Sequence, residues 1–362
     1  MQIVTFGEVM LRLAPSEFLR LRQVVPGDLA ATFGGGELNV AVTIAYQGGQ
    51  ASFLTALPDN PLTDALEQEL GRMGVGSHVC RSERGRFGIY FVETGANQRS
   101  GTVTYDRDGT AIAVHPPDAY DWDTALADAN WFHITGITPA ISKLAADASL
   151  AAVRAARNRG LTVSCDLNFR KKLWGWDPGR DAVELAQRTM RALVPYVDVL
   201  IANEEDADLC LGIRAADSDV DSGHLNIAGY RQVATEIVNQ FPNVRLVAVT
   251  LRESLSASHN NWGALLYDAP QDAMHLAPTD GTSAYRPYEI RNIVDRVGAG
   301  DSFAGGLIFA LNTPELAEPS EAIRYAVAAS CLKHSVKGDF NYSSRSEIES
   351  LMRGGGSGRV QR

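Results

Sequence analysis

Apolar and polar positions follow two rhythms along this chain. Ile3 to Phe6 is a short apolar run closed by Gly7-Glu8, the pattern of a strand buried on both faces of a parallel sheet. Met10-Leu11-Arg12-Leu13-Ala14-Pro15 alternates as a partly exposed strand does, and residues 16–30 carry no regular pattern. Phe33-Gly34-Gly35-Gly36-Glu37-Leu38-Asn39-Val40-Ala41 then runs three glycines into a helix of small and apolar residues. Residues 50–86 predict a strand over Ala51 to Ala56, a helix over Pro61 to Met73 and a stop at Gly74-Val75-Gly76.

Between Phe87 and Val114 the rhythm changes. Gly88 to Glu93 and Thr102 to Arg107 alternate over short ranges around Gly95-Ala96-Asn97, which predicts a hairpin and not a crossover. With the strand near residues 10–14, it predicts a small sheet standing off the main unit as a lid. From Trp131 the strand–helix rhythm resumes: strands at Trp131 to Ile134, Thr162 to Cys165, Val197 to Ala202 and Val244 to Thr250, helices at 142–159 and 178–193. The expected organisation is an α/β core of residues 1–9, 36–86 and 115–353, a β-sheet lid of 10–35 and 87–114, and a flexible Gly-rich tail, 354–362. Asp217-Ser218-Asp219-Val220-Asp221-Ser222 reads as a solvated acidic loop, since no EF-hand pattern follows.

Composition narrows the classes. At 362 residues, 45% apolar and 21% charged, the chain can bury a large core. A net charge of -10 argues against nucleic acid or an anionic membrane as partner. Cys80, Cys165, Cys210 and Cys331 are far apart and form no CxxC pair, so a zinc site or disulfide framework is not expected. The N-terminus has no basic segment ahead of its short apolar run, and no stretch reaches membrane-span length. A cytoplasmic protein is expected.

The chemistry is concentrated in Asp295-Arg296-Val297-Gly298-Ala299-Gly300-Asp301, which leads into an apolar helix beginning near Ser302-Phe303. The first N–H groups of a helix lack internal partners, so Gly298, Ala299 and Gly300 can converge on an anion. A carboxylate beside such a site repels the ligand unless it takes a proton from an attacking group, the arrangement phosphoryl transfer needs. The plainer alternative is Asp301 as an ordinary helix cap. Asn39 lies one turn into the earlier glycine-led helix, where its amide can bind a hydroxyl or equally be satisfied by a neighbouring loop. Asp166, Asn168, Arg170, Asn203 and Glu204 follow the carboxyl ends of apolar runs, the edge at which open α/β sheets bind ligands; Asp166 and Asn203 equally suit plain caps.

Taken together, Gly34-Gly35-Gly36-Glu37-Leu38-Asn39-Val40-Ala41 and Asp295 to Phe303, in that order with a hairpin between and no GxxxxGK[ST] motif, resemble the ribokinase-like (PfkB) carbohydrate kinases over nearly the whole chain. The resemblance implies a three-layer α/β/α domain, a β-sheet lid that serves as a homodimer surface, and ATP with Mg2+. It makes Asp301 the base and Gly298, Ala299 and Gly300 the anion hole. It sets Asn168, Asn203, Thr250, Arg252, Gly300 and Asn341 on the nucleotide side, Glu204 or Asp206 near Mg2+, and Asp295 at a K+ site.

Within that family the chain looks most like 2-keto-3-deoxygluconate kinases. Gly7-Glu8-Val9-Met10-Leu11-Arg12-Leu13, Tyr105-Asp106-Arg107, Asp166-Leu167-Asn168-Phe169-Arg170 and Lys337-Gly338-Asp339-Phe340-Asn341 carry that likeness. A sugar acid bears a carboxylate that an Arg can grip through paired hydrogen bonds, so Arg107 and Arg170 are its expected partners, a surface ion pair being the plainer alternative for each. Tyr90 and Tyr105 would cover the sugar, with Gly34, Gly35 and Asn39 beside it. The expected reaction is phosphorylation of the primary hydroxyl of 2-keto-3-deoxygluconate. The alternatives are fructokinase or other sugar kinase activity, or a sugar-binding regulator without catalysis. One segment departs from the family: 250–263 lacks the usual glycines and reads as a longer loop, with Arg252 replacing a backbone contact by a charged one.

Overall fold

The computed structural model describes residues 2–203, 205–215, 227–280 and 284–354. The acidic segment expected at 217–222 and all of the tail beyond Gly354 lie outside them. Among the described residues the strands are β1 (Gln2–Phe6), β2 (Met10–Ala14), β3 (Ala30–Gly34), β4 (Gln50–Pro58), β5 (Val75–Ser82), β6 (Gly88–Glu93) and β7 (Thr102–Asp106) in the first part of the chain. The second part adds β8 (Ala129–Thr135), β9 (Thr162–Asp166), β10 (Val199–Ala202), β11 (Leu246–Ser256), β12 (His259–Asp268), β13 (Ala273–Ala277) and β14 (Tyr288–Arg291).

The large sheet runs β13-β12-β11-β10-β9-β8-β1-β4-β5, with β14 beside β12. Every neighbouring pair from β5 to β11 is parallel, and β12 to β14 join antiparallel at one edge. The parallel strands are apolar on both faces because both are covered. In β10, Val199 and Ile201 point into one core while Leu200 and Ala202 point into the other. The first core packs under the helices Gly36–Tyr46, Ala299–Leu311 and Pro319–Lys333, the second under Lys143–Asn158, Ala182–Leu193 and Ile227–Gln240. This is the expected three-layer arrangement.

The small sheet, β3-β2-β6-β7, is separate. Its inner face buries Met10, Ala14, Tyr90 and Val92, with Val297 packed against them. Its last strand, β7, is exposed along its whole length.

Two sequence readings are corrected here. Part of 16–30 is regular, with a short helix at Leu21–Val24 and β3 beginning at Ala30. Both were hidden because their residues are mostly exposed and show no buried face. The segment 250–263 is no loop: β11 continues to Ser256, turns, and returns as β12 with Thr250 opposite Ala264 and Arg252 opposite Trp262. Beyond Leu251 the β11 side of this hairpin is largely exposed, so the apolar run that marks a strand stops early.

Candidate active site

Two glycine-led helices bring the site together. The Ala299–Leu311 helix starts at Gly298 with φ 82, a left-handed turn that glycine adopts without strain. A Cβ there would lie 2.0 Å from the Asp339 carbonyl oxygen. Ser302 N to Gly298 O is the first intrahelical bond, so the N–H groups of Ala299, Gly300 and Asp301 point out of the helix end. They face a cleft of about 1340 Å³ at the carboxyl edge of the large sheet. A Cβ on Gly300 would meet nothing within 4 Å, so this turn is open to the cleft.

Asp301 is in that first turn. Burial raises its carboxyl to about 7, against the opposing effect of a hydrogen bond from Asn39 Nδ2 to Oδ2 at 2.6 Å. Asn39 is held in place because its own Oδ1 accepts from Gly35 N at 3.3 Å. Gly36 keeps the opposite wall thin, since a Cβ there would be 3.6 Å from Asp301 Oδ1. The result is a base that titrates near neutrality beside a ring of N–H donors.

The floor is formed by the ends of β9 and β10. Asp166 is buried, and burial followed by the charges of Asp206 and Asp301 raises its pKa strongly. Asn168 sits at φ 38 in the left-handed region, which Asn tolerates better than most residues. Arg170 follows it, exposed at the cleft, and makes no ion pair to an acid among the described residues. Asn203 acts as a cap: Oδ1 accepts from Glu205 N at 2.9 Å and Asp206 N at 3.1 Å. Asp206 returns the bond to Asn203 N at 3.0 Å and also accepts from Phe169 N at 3.1 Å. Its two oxygens thus serve the backbone. Glu204, the other expected Mg2+ ligand, lies outside the described residues.

The small sheet forms the roof. Tyr90 and Tyr105 stack with ring centroids 6.0 Å apart, and Arg107 lies 5.3 Å over the Tyr105 ring. Arg107 is buried and paired with Glu8, while its Nε has no partner among the described residues. Tyr90 Oη donates to Asp339 Oδ2 at 2.7 Å. Gly35 lines the cleft, whereas Gly34 is set back, where a Cβ would strike Tyr90 Oη and Asp339.

Thr250 and Arg252 line the other end of the cleft, with Val233 and Ile237 supplying an apolar wall. Besides Gly34, two expected site residues do not line the cleft. Asn341 is buried, its Nδ2 donating to Ala329 O at 3.0 Å and its Oδ1 accepting from Ser343 N at 2.9 Å. Both ends of the amide thus hold its own loop. Asp295 is buried too. Its Oδ1 accepts from Val297 N at 3.1 Å, and its Oδ2 from Gly338 N at 3.1 Å and from Arg12 Nη2 at 2.5 Å.

Residue-by-residue reading passed over four groups. Arg12, Asp339, Glu8 and Glu37 are all buried ionisable side chains that hold the site's walls. Glu37 Oε1 accepts from Thr135 N at 3.0 Å and from the hydroxyls of Thr135 and Thr138 at 2.8 Å each. Arg12 was signalled: in β2 it shares the inward face with Met10 and Ala14, and a cation there needs buried acids.

The sequence and fold have known relatives. The model of the pfkB family carbohydrate kinases matches residues 1–344. A 2-dehydro-3-deoxygalactonokinase of Haloferax volcanii is 32% identical over 99% of this chain and 98% of its own. The crystal structure of a 2-dehydro-3-deoxygluconokinase from Thermotoga maritima superposes with a TM-score of 0.86 at 41% identity, covering 98% of this chain and 99% of that one. A probable fructokinase-4 of Arabidopsis thaliana is 26% identical over 97% of both chains.

Proposed function

Since the chain belongs to the pfkB carbohydrate kinase family, and is thereby a phosphotransferase acting on a sugar hydroxyl, we propose that it phosphorylates the primary hydroxyl of 2-keto-3-deoxygluconate with MgATP, giving 2-keto-3-deoxy-6-phosphogluconate. The single observation that carries the choice of a sugar acid is Arg170, exposed in the cleft and without an ion pair among the described residues. A substrate carboxylate would complete it, and a neutral sugar would leave it solvated. Arg107, whose Nε lacks a partner among the described residues, would meet the acid from the roof. The two relatives named for 2-dehydro-3-deoxy sugar acids support the same substrate class.

The chain's own groups divide the work. Asp301 takes the hydroxyl proton as the oxygen attacks. The N–H groups of Ala299, Gly300 and Asp301 hold the charge that spreads over the transferring group. Tyr90 and Tyr105 cover the sugar. The apolar side of the Ile227–Gln240 helix, with Thr250 and Arg252, suits the nucleotide, which supplies the γ-phosphoryl group. No cluster of three metal-binding side chains occurs among the described residues, and Mg2+ bound largely through phosphate oxygens needs none. We place a homodimer contact on the small sheet, along the exposed edge strand β7.

The test is ADP release with MgATP and a panel of 2-keto-3-deoxygluconate, 2-keto-3-deoxygalactonate, gluconate, fructose and ribose. Preference for 2-keto-3-deoxygluconate is expected. Preference for the galactonate epimer corrects the substrate but keeps the arginine argument, preference for fructose or ribose overturns it, and no turnover with any member overturns the whole proposal.

A further inference from the structure

Four ionisable side chains meet behind the Gly298 turn, and the phosphoryl chemistry above uses none of them. Arg12, from the small sheet, donates from Nη2 to Asp295 Oδ2 at 2.5 Å and from Nη1 to Asp339 Oδ1 at 2.6 Å. Arg12 is 2% exposed, Asp295 4% and Asp339 5%. Lys333, the last residue of its helix and 0% exposed, donates from Nζ to Val336 O at 3.1 Å. Burial lowers its pKa, and the field of Asp295 and Asp339 opposes that fall and favours its charge. Two acids and two bases therefore share one buried region, and an unpaired member would carry a large desolvation cost.

The backbone around them draws two loops together. Val294 N and Asp295 N donate to His334 O at 2.8 and 3.4 Å, and Gly338 N donates to Asp295 Oδ2. The Asp339 carbonyl then abuts Gly298. A monovalent cation between these loops, as the family resemblance implies, would need Asp295 as its anionic ligand. That carboxylate does not fit the role here. Each oxygen already accepts hydrogen bonds, one of them from the Arg12 guanidinium, and in a dry interior that fixed cation repels another.

We infer that Arg12 and Lys333 are the chain's built-in replacement for that monovalent cation: they neutralise Asp295 and Asp339, lock the 294–298 and 333–339 loops behind the anion-holding turn, and leave no place for K+. Since Arg12 comes from β2, the same contact ties the root of the small sheet to the core.

The measurement is thermal melting of the unmodified protein in KCl and in choline chloride at equal ionic strength. It uses no turnover, so it stands whichever sugar is the substrate. A site filled by K+ at a hundredfold excess over its Kd would raise Tm by several degrees. Equal melting in both salts is expected, and a K+-specific rise that saturates in the millimolar range overturns the inference. Lys333→Met removes one built-in charge and leaves the Val336 carbonyl open. This variant should now melt several degrees higher in KCl than in choline chloride. If it folds and shows no such difference, Lys333 does not stand in for the ion; if it fails to fold, the unmodified protein alone decides.

Discussion

Asn39 Nδ2 donates to Asp301 Oδ2 at 2.6 Å, joining the first turns of two helices that lie 262 positions apart in sequence. Burial raises the Asp301 carboxyl to about 7, and the Asn39 bond opposes that rise because it favours the charged form. The pH profile of kcat/KM should therefore climb through an acidic limb near 7 as Asp301 loses its proton. Asn39→Ala removes the opposing bond, so the limb should move to higher pH. A limb that stays where it was would detach Asn39 from the base.

The same carboxyl links activity to stability. Its folded pKa lies above the unfolded value, so the folded state holds the proton more tightly. Its contribution is most favourable below the unfolded pKa and is lost as pH rises through the folded one, near 7. Asp301→Asn cannot ionise and escapes that loss. We expect D301N to melt above the unmodified protein at pH 8.5, with the gap narrowing toward pH 5, while turnover falls by a factor on the order of 10²–10⁴. Melting curves at both pH values check the sign; a gap that widens toward pH 5 would contradict it.

The readable part of the chain was the part with local causes. Two-sided apolar runs marked β1, β8, β9 and β10, and glycines followed by small residues marked both site helices. Asp301, Asn39 and the Gly298 turn were legible because their geometry is made by neighbours in sequence. Partnerships across the fold were not. Arg12 reaches Asp339 over 327 positions and Glu8 reaches Arg107 over 99, and no local pattern encodes such pairs. At Asn341 a motif gives residue type and order, while the direction of the amide depends on the Ala329 carbonyl beside it.

Arg170 and Arg107 are predicted to differ. Arg170 makes no ion pair among the described residues and acts on Asp166, Asp206 and Asp301 only through its field, so Arg170→Ala should change Tm little. It should raise KM for the sugar acid by roughly 10- to 100-fold, the range of a charge-assisted hydrogen bond. KM for a neutral sugar should stay the same. Arg107→Ala leaves Glu8 buried without its cation, with the Thr110 hydroxyl at 2.7 Å as its one remaining side-chain partner among the described residues, so it should also lower Tm. Substrate-panel kinetics beside melting curves separate the two, and equal loss for acid and neutral sugar would refute the carboxylate role of Arg170.

Gly298 and Gly300 stand two residues apart in one turn, and alanine should act on them in opposite ways. At Gly298 the backbone is left-handed and the added Cβ would lie 2.0 Å from the Asp339 carbonyl oxygen, a backbone atom that cannot swing aside. Strain of about 1–3 kcal/mol is the ordinary cost of such a conformation alone, so Gly298→Ala should lower Tm by several degrees. At Gly300 the Cβ meets no atom within 4 Å and the residue is helical, where alanine is favoured over glycine by roughly 0.5–1 kcal/mol. Gly300→Ala should melt at or slightly above the unmodified protein. Its methyl group would project into the space beside the N–H donors, so turnover should fall even though the fold is firmer. A Gly300→Ala variant with full turnover would show that the transferring phosphoryl group does not approach this turn.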